Sequence, residues 1–233
     1  MRKYSFLLLI ILVASSCKKV NDDQADLTGI PDTRIETILT GYDIIWGMDF
    51  LPDGSMVFGE KRGKLYRRTN GSVSEITGFP QVNPKNQGGL LDIRVHPEYA
   101  VNGWVYACYT EAKLENGLKL IRFRISGNQV SEIETVFATN SPDSWNGHYG
   151  SRIVFDRYNY LYLSVGEGGS GSYGGPSSYN MNAQDPVSAW GKVHRLRDNG
   201  TIPPDNPVIP GNAGPTSVYS YGHRNPQGLA MHP

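Results

Sequence analysis

Cysteine is nearly absent: the 233-residue chain has two, Cys17 and Cys108. So few exclude a disulfide framework. Net charge is absent too. Lys+Arg and Asp+Glu number 22 each, and a chain without a basic excess lacks the counter-charge that a nucleic-acid binder needs, so no nucleic-acid partner is expected. Long apolar runs are missing with one exception near the start, and that one is too short to span a bilayer comfortably. Glycine (27), proline (15) and tyrosine (14) are plentiful by contrast. That mix favours short strands joined by tight turns over long helices. The length suffices for one substantial core.

The apolar exception covers residues 6–14. Arg2 and Lys3 precede it, and the small residues Ser15 and Ser16 close it just before Cys17. This is the layout of a signal peptide over residues 1–16. The run Val13-Ala14-Ser15-Ser16-Cys17 looks like a lipobox, in which the cysteine thiol is acylated and becomes the new N-terminus. Cys17 is therefore the expected lipidation site. The protein is expected in the cell envelope, lipid-anchored on a periplasmic or cell-surface face. Residues 17–33 are polar and aperiodic and read as a flexible tether. Cys108 lies in the apolar run Trp104-Val105-Tyr106-Ala107-Cys108-Tyr109 and reads as a buried structural thiol.

From residue 34 onward the chain repeats itself loosely. Trp46-Gly47-Met48-Asp49-Phe50-Leu51-Pro52-Asp53-Gly54 precedes Met56-Val57-Phe58 and then Gly63-Lys64-Leu65-Tyr66-Arg67. A second copy runs through Leu91-Asp92-Ile93-Arg94-Val95-His96-Pro97, Trp104-Val105-Tyr106-Ala107 and Lys119-Leu120-Ile121-Arg122-Phe123. A third runs through Ser151-Arg152-Ile153-Val154-Phe155-Asp156, Tyr160-Leu161-Tyr162-Leu163-Ser164-Val165-Gly166 and Gly191-Lys192-Val193-His194-Arg195-Leu196. A fourth begins at Gly228-Leu229-Ala230-Met231-His232-Pro233. Each copy offers an alternating strand ending in a Pro/Asp turn, a more apolar strand, and a third strand expected to carry Arg on its exposed face. The first two copies are offset by about 45 residues, near the size of a four-stranded propeller blade. The expected fold is all-β: a β-propeller of which about three blades are present over residues 34–233. A closed propeller needs at least four blades, so the chain reads as an N-terminal fragment, inactive by itself. Residues 166–186, rich in Gly, Ser, Tyr and Asn, read as a long loop on one rim, where propellers carry function.

Four stretches stand apart from the blade pattern. Asn86-Gln87-Gly88-Gly89 opens a strand and lets backbone approach something closely, although a tight turn explains it as well. Asn146-Gly147-His148-Tyr149-Gly150-Ser151 opens the next strand at the equivalent place. Equivalent positions of successive blades face the central channel, so Gln87 and His148 should converge on the axis. His148 is then a candidate general base, because a neutral imidazole takes a proton from an alcohol near pH 7. A hydrogen-bonded structural histidine is the competing account. Tyr221-Gly222-His223-Arg224-Asn225-Pro226-Gln227 again precedes a blade, and Arg224 offers a fixed cation suited to an anionic or carbonyl-rich ligand. Glu167, in Gly166-Glu167-Gly168-Gly169, is a ligand group or part of a turn.

Five of these stretches, in order from about residue 38 to the end, resemble the glucose/sorbosone dehydrogenase family: 46–54, 87–92, 148–156, 191–196 and 221–229. That family includes soluble aldose dehydrogenases that use pyrroloquinoline quinone (PQQ). The resemblance implies a six-bladed propeller and oxidation of aldose sugars at the anomeric carbon to lactones, by hydride transfer to PQQ. It implies His148 as the base that takes the anomeric hydroxyl proton. Gln87 is implied as a hydrogen-bonding partner of the sugar hydroxyl or quinone edge, Arg224 as the cation on the quinone oxygens, and Asn225 as a neighbouring cofactor contact. An electron acceptor of the respiratory chain would be the redox partner. Calcium is implied as well, with ligands expected beyond residue 233, so no metal ligand is assigned here. The chain departs from the family at Gly147, where some members carry an acid or amide that orients the base. His148 then needs another orienting partner, with Asn146 one choice. Ser151 replaces a glycine common after the base. Two rival functions remain from residues alone. One is a non-catalytic cell-surface propeller binding sugar or protein, which has no need of a base. The other is a different propeller enzyme such as a lactonase, which would need metal-binding carboxylates on the axis, and the sequence shows no such set.

Overall fold

The computed structural model describes residues 34–112, 117–139, 147–169 and 179–232. The expected signal peptide, the tether with Cys17, and Asn146 lie outside the described residues. Residues 1–40 and 41–233 form two separate units. In the first, residues 34–40 carry no regular secondary structure. All the described strands belong to the second.

Among the described residues, twelve strands form three antiparallel sheets of four. The first sheet holds β1 (Ile45–Phe50), β2 (Met56–Glu60), β3 (Leu65–Thr69) and β4 (Ser72–Ile76). The second holds β5 (Leu90–Val95), β6 (Val105–Thr110), β7 (Leu118–Ser126) and β8 (Gln129–Ala138). The third holds β9 (Ile153–Phe155), β10 (Leu161–Val165), β11 (Lys192–Leu196) and β12 (Val218–Tyr221). Strands neighbour one another in chain order in every sheet. Among the described residues the helical pieces are short: α1 (Tyr99–Asn102) and a 3-10 turn at Tyr179–Ala183.

The middle sheet explains why one run of sequence is so apolar. All six residues of β6 are buried. Val105, Ala107 and Tyr109 pack in a core with Val57, Leu65 and Ile93, whereas Tyr106 and Cys108 pack in a second core with Ile153, Leu161 and Leu163. A strand covered on both faces reads as a continuous apolar stretch because both sides of the pleat need apolar side chains. Cys108 is wholly buried, and that burial pushes its thiol pKa well up. It is an inert core group, as expected for a thiolate that would lose its hydration.

Each sequence copy supplies three of the four strands. The fourth, β4, β8 or β12, escapes the alternation pattern because it carries few buried residues. For two of them a turn signal exists. Thr69 pairs with Ser72 around Asn70-Gly71, and Ser126 pairs with Gln129 around Gly127-Asn128, both two-residue hairpin loops. Residues 228–232, read as the start of a further copy, form no strand. A strand exists only through its ladder, and no ladder among the described strands includes them.

The arginines of the third strands are not on exposed faces. Arg67 and Arg122 are half-buried and Arg195 is buried. Their long stems lie along the sheet while the guanidinium groups meet carboxylates: Asp53 for Arg67, Glu134 and Asp198 for Arg122, Asp205 for Arg195. Arg122 also lies 4.4 Å over the Trp104 ring, and Arg195 4.0 Å over Tyr160.

Candidate active site

Antiparallel pairing brings several chain segments to one end of the third sheet: the entrance to β9, the exit of β10, the entrance to β11 and the exit of β12. His148 lies at the first, Glu167 at the second, Lys192 at the third and Arg224 after the fourth. The entrance to β5, with Gln87, joins them from the second sheet.

The backbone of 148–151 is unusual. His148 has φ +51°, Gly150 +63° and Ser151 +76°. Two non-glycine residues in the left-handed region within four positions mean that the surroundings, not local preference, hold the loop. The holding bonds are visible. Gln87 Oε1 accepts from the His148 N–H at 2.8 Å, and Asn225 Oδ1 accepts from the Gly150 N–H at 3.1 Å. The Ser151 N–H donates to the Ser164 carbonyl at 2.7 Å. Gln87 and Asn225 thus spend their side-chain oxygens on the histidine loop, which leaves each with its amide N–H groups to offer a ligand.

His148 Nδ1 lies 2.6 Å from Glu167 Oε1, with the histidine 5% and the glutamate 1% exposed. A carboxylate there accepts the Nδ1 proton, which makes Nε2 the basic nitrogen of the neutral ring. Glu167, 19 residues further along the chain, thus orients the His148 ring. Its other oxygen, Oε2, is buried with no hydrogen-bond partner among the described residues, an arrangement that suits a hydroxyl-bearing molecule arriving beside the histidine. The pair can meet because residue 166 has no side chain: a Cβ on Gly166 would overlap the His148 carbonyl. The Glu167 N–H then donates to the Arg224 carbonyl at 2.8 Å, which ties the His148–Glu167 pair to the main chain at Arg224. The Arg224 side chain stands exposed at the rim and Asn225 is half-buried beside it.

A joint below the loop locks three segments. Arg152 Nη1 donates to Asp92 Oδ1 at 2.7 Å, its Nε donates to the Gln227 carbonyl at 3.1 Å, and its guanidinium lies 4.5 Å over the Trp46 ring. Asp92 Oδ2 accepts from the Ile153 N–H at 2.8 Å. Burial pushes the Asp92 carboxyl up to about 6, against the pull of the Ile153 bond and the Arg152 and Arg94 charges. Trp46, Gln87, Tyr149 and Gln227 line a cavity of about 170 Å³ next to this joint.

Sequence reasoning named Gln87, His148, Arg224 and Asn225, and the fold gathers all four. It missed what Glu167 and Lys192 do. An acid among glycines at the end of β10 reads as a turn unless β9 and β10 are known to be neighbours. Lys192 gives no sign in sequence that it is buried.

The family model described as Glucose / Sorbosone dehydrogenase matches residues 42–233. The chain belongs to the glucose/sorbosone dehydrogenase family. Among its relatives in that family is the aldose sugar dehydrogenase YliI of Escherichia coli strain K12, 32% identical over 241 residues that take in 100% of this chain and 60% of that protein. Another is the quinoprotein glucose dehydrogenase B of Acinetobacter calcoaceticus, 27% identical over 82% of this chain and 44% of that one. Among solved structures, the soluble aldose sugar dehydrogenase of Escherichia coli in its apo form is 34% identical, with a TM-score of 0.72 over 82% of this chain and 55% of that one. The PQQ-bound aldose sugar dehydrogenase of Streptomyces coelicolor is 33% identical, with a TM-score of 0.68 over 82% and 54%. The chain thus spans about half the length of the glucose/sorbosone dehydrogenase relatives it matches.

Two groups go with this family reading. For a quinone, Arg224, an exposed cationic residue, and the half-buried Asn225 with its amide N–H groups form a fitting donor set. For calcium, the described residues contain no group of three or more His, Cys, Asp or Glu that could hold a metal ion.

Proposed function

We propose that the whole protein is a PQQ-dependent aldose dehydrogenase that oxidises the anomeric carbon of a sugar to a lactone. The observation that carries this is the buried His148–Glu167 pair, joined through the Glu167 N–H to Arg224, in a chain of the glucose/sorbosone dehydrogenase family. Bound PQQ would supply the acceptor for the hydride that leaves the sugar.

The chain's own residues then divide the remaining work. His148 Nε2 takes the proton of the anomeric hydroxyl, and Glu167 stabilises the imidazolium that forms while holding the ring's orientation. Gln87 holds the base from its backbone and presents its amide N–H groups to the sugar or the quinone edge. Arg224 and Asn225 would hold the quinone, with the guanidinium placed to offset negative charge as hydride arrives. Positioning of both reactants supplies the rest of the acceleration.

In this proposal the three sheets are three blades of a six-bladed propeller, with the calcium ligands and the remaining blades beyond residue 233. Residues 1–16 direct export, Cys17 carries the lipid, and electrons pass on to a respiratory acceptor from an envelope-anchored enzyme. The test is expression of the full-length gene, reconstitution with PQQ and calcium, and dye-reduction assays with a panel of aldoses. Turnover with at least one aldose is expected. No quinone binding and no turnover with any sugar would overturn the proposal.

A further inference from the structure

Lys192 is wholly buried, at the first position of β11. An ammonium without water is costly, and a fold keeps one only where strong bonds replace its hydration. Here all three side-chain bonds go to main-chain carbonyls: Trp190 at 2.6 Å, Asn182 at 2.8 Å and Ala183 at 3.4 Å. These carbonyls belong to the segment that crosses from the site loop back into the third sheet. The same segment touches the site directly. Asn182 Nδ2 donates to the Glu167 carbonyl at 3.3 Å, and the Ala183 carbonyl accepts from the Gly222 N–H at 2.8 Å. Gly191 donates to the Gly166 carbonyl at 2.7 Å and accepts from the His223 N–H at 3.1 Å. A Cβ on Gly191 would overlap Ala183, so the segment is packed as closely as backbone allows.

We infer that Lys192 is a positioning residue for the Glu167–His148 pair, acting through Asn182. The inference rests on the proposed role of His148 as base. The ammonium gathers three carbonyls that would otherwise repel one another, and this fixes the Asn182 side chain against the backbone of the glutamate that orients the histidine. Burial holds Lys192 down to about 8, with the Asp185 charge opposing. Above that pH the neutral amine has two hydrogens for three carbonyls. The other titratable groups near it are Tyr221 on β12, whose ring centre is 6.0 Å away, His194 on the same strand, and His223 after β12.

The test compares Lys192→Met and Asn182→Ala in the full-length protein. In cofactor-free protein, NMR titration of the His148 imidazole should shift in both variants relative to the parent. In PQQ-loaded enzyme, kcat should fall about tenfold or more in each, with the sugar KM and PQQ affinity within about twofold, and the double variant should be no worse than the poorer single one. Variants that lose thermal stability but keep the parental His148 titration and kcat would overturn the inference. If Lys192→Met does not fold, Asn182→Ala decides, because it leaves the ammonium and its carbonyls in place. If the parent oxidises no sugar, the proposed function fails, and the NMR titration still decides the role of Lys192.

Discussion

His148 Nδ1 and Glu167 Oε1 are 2.6 Å apart, in side chains that are almost wholly withdrawn from water. The carboxylate lies one strand away from the histidine in space and 19 residues away in sequence. Glu167→Gln keeps the size but removes the charge that stabilises an imidazolium. We expect kcat to fall by roughly 10- to 100-fold with PQQ affinity unchanged. Steady-state rates together with a quinone titration check this, and an unaltered kcat would detach Glu167 from the base.

His148→Ala removes the proton acceptor itself. The expected loss in kcat is roughly two to four orders of magnitude, the scale of a general base. Quinone binding should persist, because no cofactor contact is assigned to the imidazole. A variant with the parental rate would end the base assignment.

Gly166→Ala should disrupt the site from the backbone outward. The added methyl would overlap the His148 carbonyl, and overpacking of this kind costs about 3 kcal/mol or more when backbone must move. Gly214→Ala is the control, since nothing lies within 4 Å of its Cβ position, and a change below about 0.5 kcal/mol is expected there. Urea unfolding of both variants gives the comparison; equal stabilities would show that the 166 position has room.

Arg152→Met should leave Asp92 buried without its cation. Asp92 is 1% exposed on its side chain and Arg152 is 26% exposed. Breaking one partner of such a pair costs about 3 kcal/mol, mostly from the stranded charge. Asp92→Asn in the Arg152→Met background should recover part of that loss. A double-mutant cycle measures the coupling, and an additive result would mean the joint contributes nothing as a pair.

His194 gives the acid side of the stability profile. It is wholly buried, with Nε2–H donating to the Ala189 carbonyl at 2.9 Å, and burial holds its pKa down to about 4. A depressed folded-state value means the stabilisation is complete above the unfolded value near 6.5 and drains away as pH falls toward 4. The loss approaches roughly 3 kcal/mol at the acid end. Asp92, with its raised value, works in the opposite sense over the neighbouring range, since its contribution is present in acid and lost as pH rises through about 6. His194→Gln isolates one from the other. Denaturant unfolding at pH 7.5 and 4.5 should show a smaller acid loss in the variant than in the parent, and identical slopes would contradict it.

Much of this was open to inspection in the sequence because period-2 alternation and strand-entrance motifs are local. The runs that became β5, β6 and β10 have apolar residues where a two-faced or one-faced strand requires them. The outer strands β4 and β8 were hidden by their polar faces, and only the hairpin dipeptides mark them. Gln87, His148 and Arg224 stood out because glycines flank them at strand entrances, whereas Asn225 came only with the family resemblance. Glu167 could be read only as a ligand group or part of a turn, and Lys192 gave no sign at all, because what each side chain touches depends on strand neighbours and burial, which are properties of the packed sheets. The third-strand arginines misled for a related reason: a charged residue in an alternating strand looks solvent-facing until an aromatic ring and a carboxylate are found across from it.

In all three sheets, strands pair only with their neighbours in chain order. Each ladder can therefore close as soon as its own stretch of chain has been made, without waiting for residues far downstream. Synthesis and assembly can run in step, one sheet laid upon the last. The cluster around His148 is then the late product of that order, because it needs the entrance of β5, the entrance of β9, the exit of β10 and the exit of β12 all in place. A nascent chain would hold a stable stack well before it held the His148–Glu167 pair in its final setting.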